Sequence, residues 1–458
     1  MTRESLERVA VLDHFSAGGV SRLLFALIAN MARLHPETTF GYFVSQANLV
    51  RDDLVNAFGP YPNVEIIPIR SPVSDGAPAV ETPEPDRGAF WRLGVGTLKK
   101  KPRVHAIMRD SLVAVREWIS PTPAPPPWYH YQLDQFVRDQ ITGYDVLYVG
   151  CPCWIEPFDP GTPLVATFHD FHYKHFPEAY ESDRLAVIER QTPAWLQQCT
   201  ISVTSTGFIR SDLLESYRDV ASRTEIVYVA PYSLEMPSAE VLSRTLKETG
   251  VRHPYVLYSG ALTAHKNVVS LVEATALLRD AGTPIQLVIT GDGTDLIGRS
   301  STEEMSEPVQ VLDRAIRKAG LHRGDDYLAL GYVSNSAVDA LSVAADAVVS
   351  ASLYEAGCGP ALDAWQTGVP VAFSNIPPFV EQLEHFGVEA HVFDPHDPAD
   401  IAAKLQDTVF DYENSQAMAE RSRIAQKRYT WDDAAQSYYD ILLLATGLGR
   451  DEAGRATE

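Results

Sequence analysis

Short apolar runs of four or five residues recur along this chain in two series, and helical segments separate the runs within each series. No other feature constrains the fold as tightly. Strands that alternate with helices must lie parallel, because a crossover helix returns the chain to the same end of the sheet each time. The first series runs through Val9–Leu12, Phe40–Val44, Val64–Ile67, Asp145–Val149, Leu164–Phe168, Thr200–Val203 and Glu225–Val229. The second runs through Tyr255–Tyr258, Gln286–Thr290, Tyr327–Leu330, Ala347–Ser350 and Val369–Ala372. Between them, from Pro231 to Pro237, the composition is that of a linker. The expected fold is therefore α/β, with two doubly wound, Rossmann-like domains over residues 1–235 and 236–425. In such sheets ligands bind beyond the carboxyl ends of the strands.

Two stretches break the rhythm. Residues from about 71 to 140 read as a long insertion, irregular from Ser71 to Pro127, and they hold the run Pro121-Thr-Pro-Ala-Pro-Pro-Pro127. Proline at this density favours extended polyproline structure. Near the end, residues 426–446 contain an amphipathic helix from Trp431 to Leu444, and residues 447–458 read as a disordered tail.

Lys and Arg total 38 and Asp and Glu total 60, a net charge of −22. So acidic a chain is repelled by nucleic acid and by anionic lipid, and no nucleic-acid partner is expected. The cluster Lys99, Lys100, Lys101 and Arg103 is the counter-signal. It reads either as solvated surface or as a peripheral contact with the inner face of a membrane. Only four cysteines occur, Cys151, Cys153, Cys199 and Cys358. They are too few and too scattered for a disulfide scaffold, and Cys151-Pro-Cys153 lacks the spacer of a zinc or redox motif. With no signal-peptide core at the start and no apolar run long enough to span a bilayer, the expectation is a cytoplasmic location.

The chemistry concentrates in Ser352-Leu-Tyr-Glu355-Ala-Gly-Cys-Gly-Pro360-Ala-Leu-Asp363. Two acids flank a glycine turn that follows a buried strand. The amides of Gly357, Cys358 and Gly359 and the start of a helix near Pro360 make an anion site suited to a diphosphate. Glu355 at the mouth of the turn is placed to accept from sugar hydroxyls, and Asp363, about two turns on, from a ribose diol. An acid at the end of an apolar strand has no stabilising role of its own. The other candidates are weaker when taken singly. Gly18-Gly19 and Gly291-Asp-Gly293 fit ordinary turns. Lys266 alone reads as a surface lysine, and His169 alone as a structural histidine, although it ends a strand and precedes Asp170. The spacing of His169, His172 and His175 suits a metal poorly, because His169 lies at a strand end and not on the same helix face, so no metal is expected.

In order and spacing these segments resemble the E-x7-E region and flanking motifs of retaining GT-B glycosyltransferases, family four in particular. The resemblance spans Gly18-Gly19, His169-Asp170, Tyr255–Asn267, Gly291–Gly293, Gly331–Val333 and Glu355–Pro370. It implies two facing domains with the active site in the cleft between them. Glu355 matches the acid that holds the donor sugar, and Lys266 the lysine that neutralises the diphosphate. Asp363 matches the ribose acid, usually Glu in the family. Gly357, Cys358 and Gly359 match turn residues whose amides meet phosphate or sugar. Val333 matches a residue whose backbone lies by the base. Gly19, after Gly18, matches the glycine that admits the diphosphate, and His169, before Asp170, the histidine facing the reacting sugar. One position departs. The family often has Arg after the glycine matching Gly260, and here that residue is Ala261, with His265 or another basic residue left to compensate.

The implied reaction moves a hexosyl group from a UDP- or GDP-hexose to a hydroxyl of a saccharide, lipid-linked saccharide or small molecule. It retains anomeric configuration and needs no cofactor and no protein nucleophile. The His169-Asp170 pair looks like that of mannosyltransferases. Two other readings stay open at this level: a GT-B epimerase, and a non-catalytic nucleotide- or carbohydrate-binding relative, which Ala261 and Asp363 would suit. The implied division of labour gives acceptor selection to the N-terminal domain, the nucleotide sugar to the C-terminal domain, and a crossing back to the first domain to the last helix.

Overall fold

A computed structural model describes residues 5–14, 19–45, 52–69, 132–221, 223–232, 236–298 and 305–448. Gly18, the Lys99–Arg103 cluster, most of the 71–140 insertion and nearly all of the tail lie outside the described residues. Among the described residues thirteen strands form two sheets, seven-stranded and six-stranded, with every pairing parallel. The first sheet holds β1 (Arg8–Asp13), β2 (Thr39–Ser45), β3 (Val64–Ile69), β4 (Val146–Val149), β5 (Leu164–Thr167), β6 (Ile201–Thr204) and β7 (Arg223–Ile226). The second holds β8 (Tyr255–Ser259), β9 (Gln286–Thr290), β10 (Tyr327–Ala329), β11 (Ala347–Ser350), β12 (Val371–Ser374) and β13 (His391–Phe393).

The order in the first sheet is β3-β2-β1-β4-β5-β6-β7, and in the second β10-β9-β8-β11-β12-β13. Six strands in each sheet therefore follow one doubly wound order. Its switch point lies between β1 and β4 in the first sheet and between β8 and β11 in the second. β4, β5, β6, β11 and β12 are buried at every residue, as strands covered by helices on both faces must be. β3 runs on through Pro68, past the expected end at Ile67, because it is an edge strand and proline's missing donor costs nothing on the outer side. β13 was not legible in the sequence: it is a three-residue edge strand that is only partly buried.

Two glycines let the elements close up around the switch points. A Cβ on Gly150, after β4, would meet Leu24 of the Gly19–Leu34 helix at 2.4 Å. Gly291, after β9, has φ of 153°, and a Cβ there would meet the Gly260 carbonyl oxygen at 2.2 Å. Any larger residue would push the strand-end loops apart.

The helix Trp431–Ala445 opens on a capping box between Thr430 and Asp433 and packs on the first sheet. Its Tyr438 hydroxyl meets Thr167 Oγ1 at 3.1 Å, and its Tyr439 hydroxyl meets Thr38 Oγ1 at 2.9 Å and accepts from Leu6 N–H at 3.1 Å. Among the described residues no helix is long and apolar enough to cross a membrane.

Candidate active site

The carboxyl ends of the strands at the two switch points face each other, and the predicted residues gather there. β11 ends at Ser350, and the chain turns through Ser352, Tyr354 and Glu355 into the helix Gly359–Thr367. Glu355 is partly buried. Its Oε1 accepts from Ser352 Oγ at 2.8 Å and pairs with Lys266 Nζ. Lys266 comes from the short turn Ala264–Lys266 after β8. That turn is pinned to the other loop, because Leu353 N–H donates to the His265 carbonyl at 2.7 Å. The backbone bond thus sets lysine and glutamate side by side. Lys266, Glu355, Gly357, Cys358 and Gly359 line one small cavity of about 90 Å³.

A larger cavity of about 340 Å³ shares Gly357 and Gly359 with it and continues to Asp363 and, on the opposite wall, to His169 and Arg22. Asp363 lies one turn into the Gly359–Thr367 helix. Its Oδ1 is buried and has no hydrogen-bond partner among the described residues. Burial pushes its carboxyl up to about 6; Arg22 works against the shift and Asp339 adds to it. An uncompensated carboxylate oxygen facing a cavity is a ready acceptor for a diol.

His169 follows β5, two residues past its end at Thr167, and its Nε2 lies 2.9 Å from the Gly150 carbonyl. A carbonyl can only accept, so Nε2 carries the hydrogen and Nδ1 keeps its lone pair. Burial holds the ring's pKa below the usual histidine value, so the imidazole is neutral near pH 7. His172 and His175 turn to other partners: His172 Nδ1 to the Tyr180 hydroxyl at 3.0 Å, and His175 Nε2 to Asp212 Oδ2 at 2.8 Å. Among the described residues no group of His, Cys, Asp and Glu is placed to hold a metal ion.

Several expectations change. The Cys358 amide is taken up inside the protein, donating to Gln382 Oε1 at 2.7 Å, so it is not aimed at a ligand. Gly357 and Gly359, which border both cavities, are the turn residues left in position. Val333 is half-buried in the turn after β10 and does not border the larger cavity. Gly19 begins its helix, but Arg22 and Leu23 are the residues of that helix that reach the cavity. Asp170 borders a third cavity of about 440 Å³, with His172, Tyr180, Arg184 and, on its far side, Glu355. His265 cannot replace the cation missing at Ala261. Burial, reinforced by His172 and Lys266, holds its pKa down at about 3, and it carries no charge near neutrality.

Sequence reasoning missed the residues that tie the two walls together. Tyr354, beside Glu355, is buried in the core of the first domain. Its hydroxyl accepts from Phe171 N–H at 3.0 Å and donates to Asp212 Oδ2 at 2.6 Å. Glu381 accepts from Gly207 N–H, from Phe208 N–H at 2.9 Å and from the Tyr228 hydroxyl at 2.6 Å, capping the helix Gly207–Tyr217 across the cleft. The position of Tyr354 next to a strand-end acid was the one available hint.

With this geometry in place, comparison with known proteins bears most directly on the second domain. Residues 246–425, which include Lys266, Glu355 and Asp363, match the family described as Glycosyl transferases group 1. The second half of the chain thus carries a Glycosyl transferases group 1 domain. The chain's two facing parallel sheets are the GT-B fold, and it is a glycosyltransferase. The O-antigen chain mannosyltransferase B of Escherichia coli is 26% identical over 273 residues, 59% of this chain and 67% of that protein. The 2-deoxystreptamine glucosyltransferase of Streptomyces kanamyceticus is 23% identical over 224 residues, 46% of this chain and 52% of the relative. In fold, the chain is similar to the crystal structure of Anabaena HepE in complex with UDP-glucose. The TM-score is 0.63 at 16% identity, over 95% of this chain and 99% of that one.

Proposed function

We propose that this glycosyltransferase moves a hexosyl group from a UDP- or GDP-hexose to a hydroxyl of a saccharide, lipid-linked saccharide or small-molecule acceptor, with retention of anomeric configuration. The observation that carries the reading is the Lys266–Glu355 pair at the end of β11, beside the glycine turn and one cavity away from the buried Asp363 carboxyl. Glycosyl transfer from a nucleotide sugar needs an acceptor group for the sugar hydroxyls, a cation for the leaving diphosphate and another acceptor for the ribose, in that order along a groove. The relatives named for mannosyl and glucosyl transfer, and the fold shared with a UDP-glucose complex, support the donor class.

In this mechanism the diphosphate draws the Lys266 ammonium toward itself and frees Glu355 Oε1 for a sugar hydroxyl, with Ser352 still holding the carboxylate. As the anomeric carbon–oxygen bond breaks, charge builds on the diphosphate beside Lys266 and the Gly357 and Gly359 amides. The acceptor oxygen bonds to the anomeric carbon on the face the diphosphate leaves, and its proton passes to the departing phosphate oxygen. The neutral His169 offers the Nδ1 lone pair to a hydroxyl of the reacting sugar. The N-terminal domain, with Asp170 in the third cavity, takes the acceptor; residues 236–425 take the donor.

The test is nucleoside diphosphate release from UDP- and GDP-hexoses, with and without a saccharide mixture, followed by NMR of the product's anomeric centre. Acceptor-dependent release with the donor's configuration preserved is expected. Inverted product contradicts retention, and acceptor-free interconversion of the sugar nucleotides contradicts transfer.

A further inference from the structure

The site as described so far lacks one positive charge. Ala261 stands where a second phosphate cation is expected, and His265 is neutral. Among the residues that line the two cavities sharing the Gly357–Gly359 turn, the Lys and Arg side chains are Lys266 in the smaller and Arg22 in the larger. Arg22 belongs to the opposite domain. It lies one turn into the helix Gly19–Leu34, as Asp363 lies one turn into Gly359–Thr367. The two side chains approach to 3.9 Å, Nη1 to Oδ2, so the amino ends of these two helices converge on one space. Both helix ends present positive potential to that space.

The surroundings of Arg22 suit an anion ligand. Its guanidinium lies 4.0 Å over the Tyr232 ring, which fixes the plane while leaving the N–H donors at its edge available. At 3.9 Å the contact with Asp363 is an ion pair too long to be a hydrogen bond, and the side chain, 48% exposed, lines the larger cavity. The guanidinium is therefore held in place without its donors being used up.

Resting on the donor-site reading above, we propose that Arg22 is a phosphate ligand of the nucleotide, supplying from the N-terminal wall the charge absent at Ala261. Its place along the groove is specific. Asp363 marks the ribose end and Lys266, beside Glu355, the sugar end. Arg22 then meets the phosphate nearest the ribose, and Lys266 the phosphate attached to the sugar. The cleft thus holds its diphosphate between cations from two domains, and an open cleft binds it poorly.

The experiment is a binding ladder of uridine, UMP and UDP and of guanosine, GMP and GDP, by calorimetry, on wild type, Arg22→Ala, Arg22→Lys and Lys266→Ala. Arg22→Ala is expected to weaken both mono- and diphosphate about 10- to 100-fold and leave the nucleoside unchanged. Arg22→Lys should fall between it and wild type, and Lys266→Ala should weaken the diphosphate alone. If Arg22→Ala weakens the nucleoside by the same factor, or leaves the whole ladder unchanged while wild type binds, the assignment of Arg22 is overturned. If wild type binds neither diphosphate, the donor-site reading itself fails and Arg22 with it.

Discussion

Asp363 is the residue whose chemistry responds most directly to pH. Burial raises its carboxyl to about 6, so it is protonated below that pH and ionised above it. In the proposed role a ribose diol donates to the carboxylate and not to the acid, which would couple donor binding to loss of that proton. Donor affinity is expected to hold above pH 6 and to fall by up to about tenfold for each pH unit below it. Asp363→Asn should bind more weakly but without that slope, which calorimetry at several pH values would show; a slope that survives in the variant would place the titrating group elsewhere. Glu355 and Asp363 stood out in the sequence because they flank a glycine turn that follows an apolar strand, whereas Lys266 and His169 drew their candidate roles from the resemblance. Arg22 did not stand out. An arginine in the first turns of an amphipathic helix looks like solvated surface, and its role depends on two helices from opposite ends of the chain converging. The Cys358 amide was misread for a related reason: no local pattern reveals that Gln382 arrives to accept from it.

At the level of elements, the alternation of strands and helices predicted two parallel doubly wound sheets, because buried parallel strands are nearly continuous apolar runs. Boundaries slipped at edge strands, where burial is weaker and the pattern fades, as in β3 and β13. What no periodicity encodes is the stitching between loops. Tyr354 plugs the Glu355 loop into the core behind His169 and Asp170 through one hydroxyl with two partners. Tyr354→Phe keeps the ring but leaves the buried Phe171 N–H without its acceptor and Asp212 without one donor. The expected cost is about 1–3 kcal/mol of folding stability. A urea melt measures it, and an unchanged midpoint would show that the hydroxyl stabilises nothing.

Across the whole molecule, buried neutral histidines set the acid limit of stability. Burial lowers His14 to about 4 and His265 to about 3, while in the unfolded chain both titrate near 6.5. Between those values the unfolded chain binds protons that the folded one does not, so stability is complete above pH 6.5 and is lost as pH falls. At pH 5 the loss is up to about 2 kcal/mol for His14 and less for the more exposed His265. Asp363, raised toward 6, and Asp339, also raised by burial, act in the opposite sense over their own range, against several histidines that burial holds low. Unfolding followed from pH 7 to pH 5 should therefore show a net decline, and a flat profile would mean that these rings are not held neutral.

The last helix ties this architecture together. It begins beyond the second sheet yet buries Tyr438 and Tyr439 against the first, so truncation after Thr430 should abolish folding as well as turnover. Residues of both domains also line the larger cavity, from Arg22 and His169 on one wall to Gly357 and Asp363 on the other.

The measurement closest to the central claim is a thermal-shift panel of UDP-, GDP- and TDP-sugars on wild type and Lys266→Ala. A ligand at 100 times its dissociation constant adds about 2.7 kcal/mol to stability. The account predicts a clear upward shift in wild type with one nucleotide class, lost in the variant. No shift with any nucleotide sugar, or one that Lys266→Ala leaves intact, would contradict it.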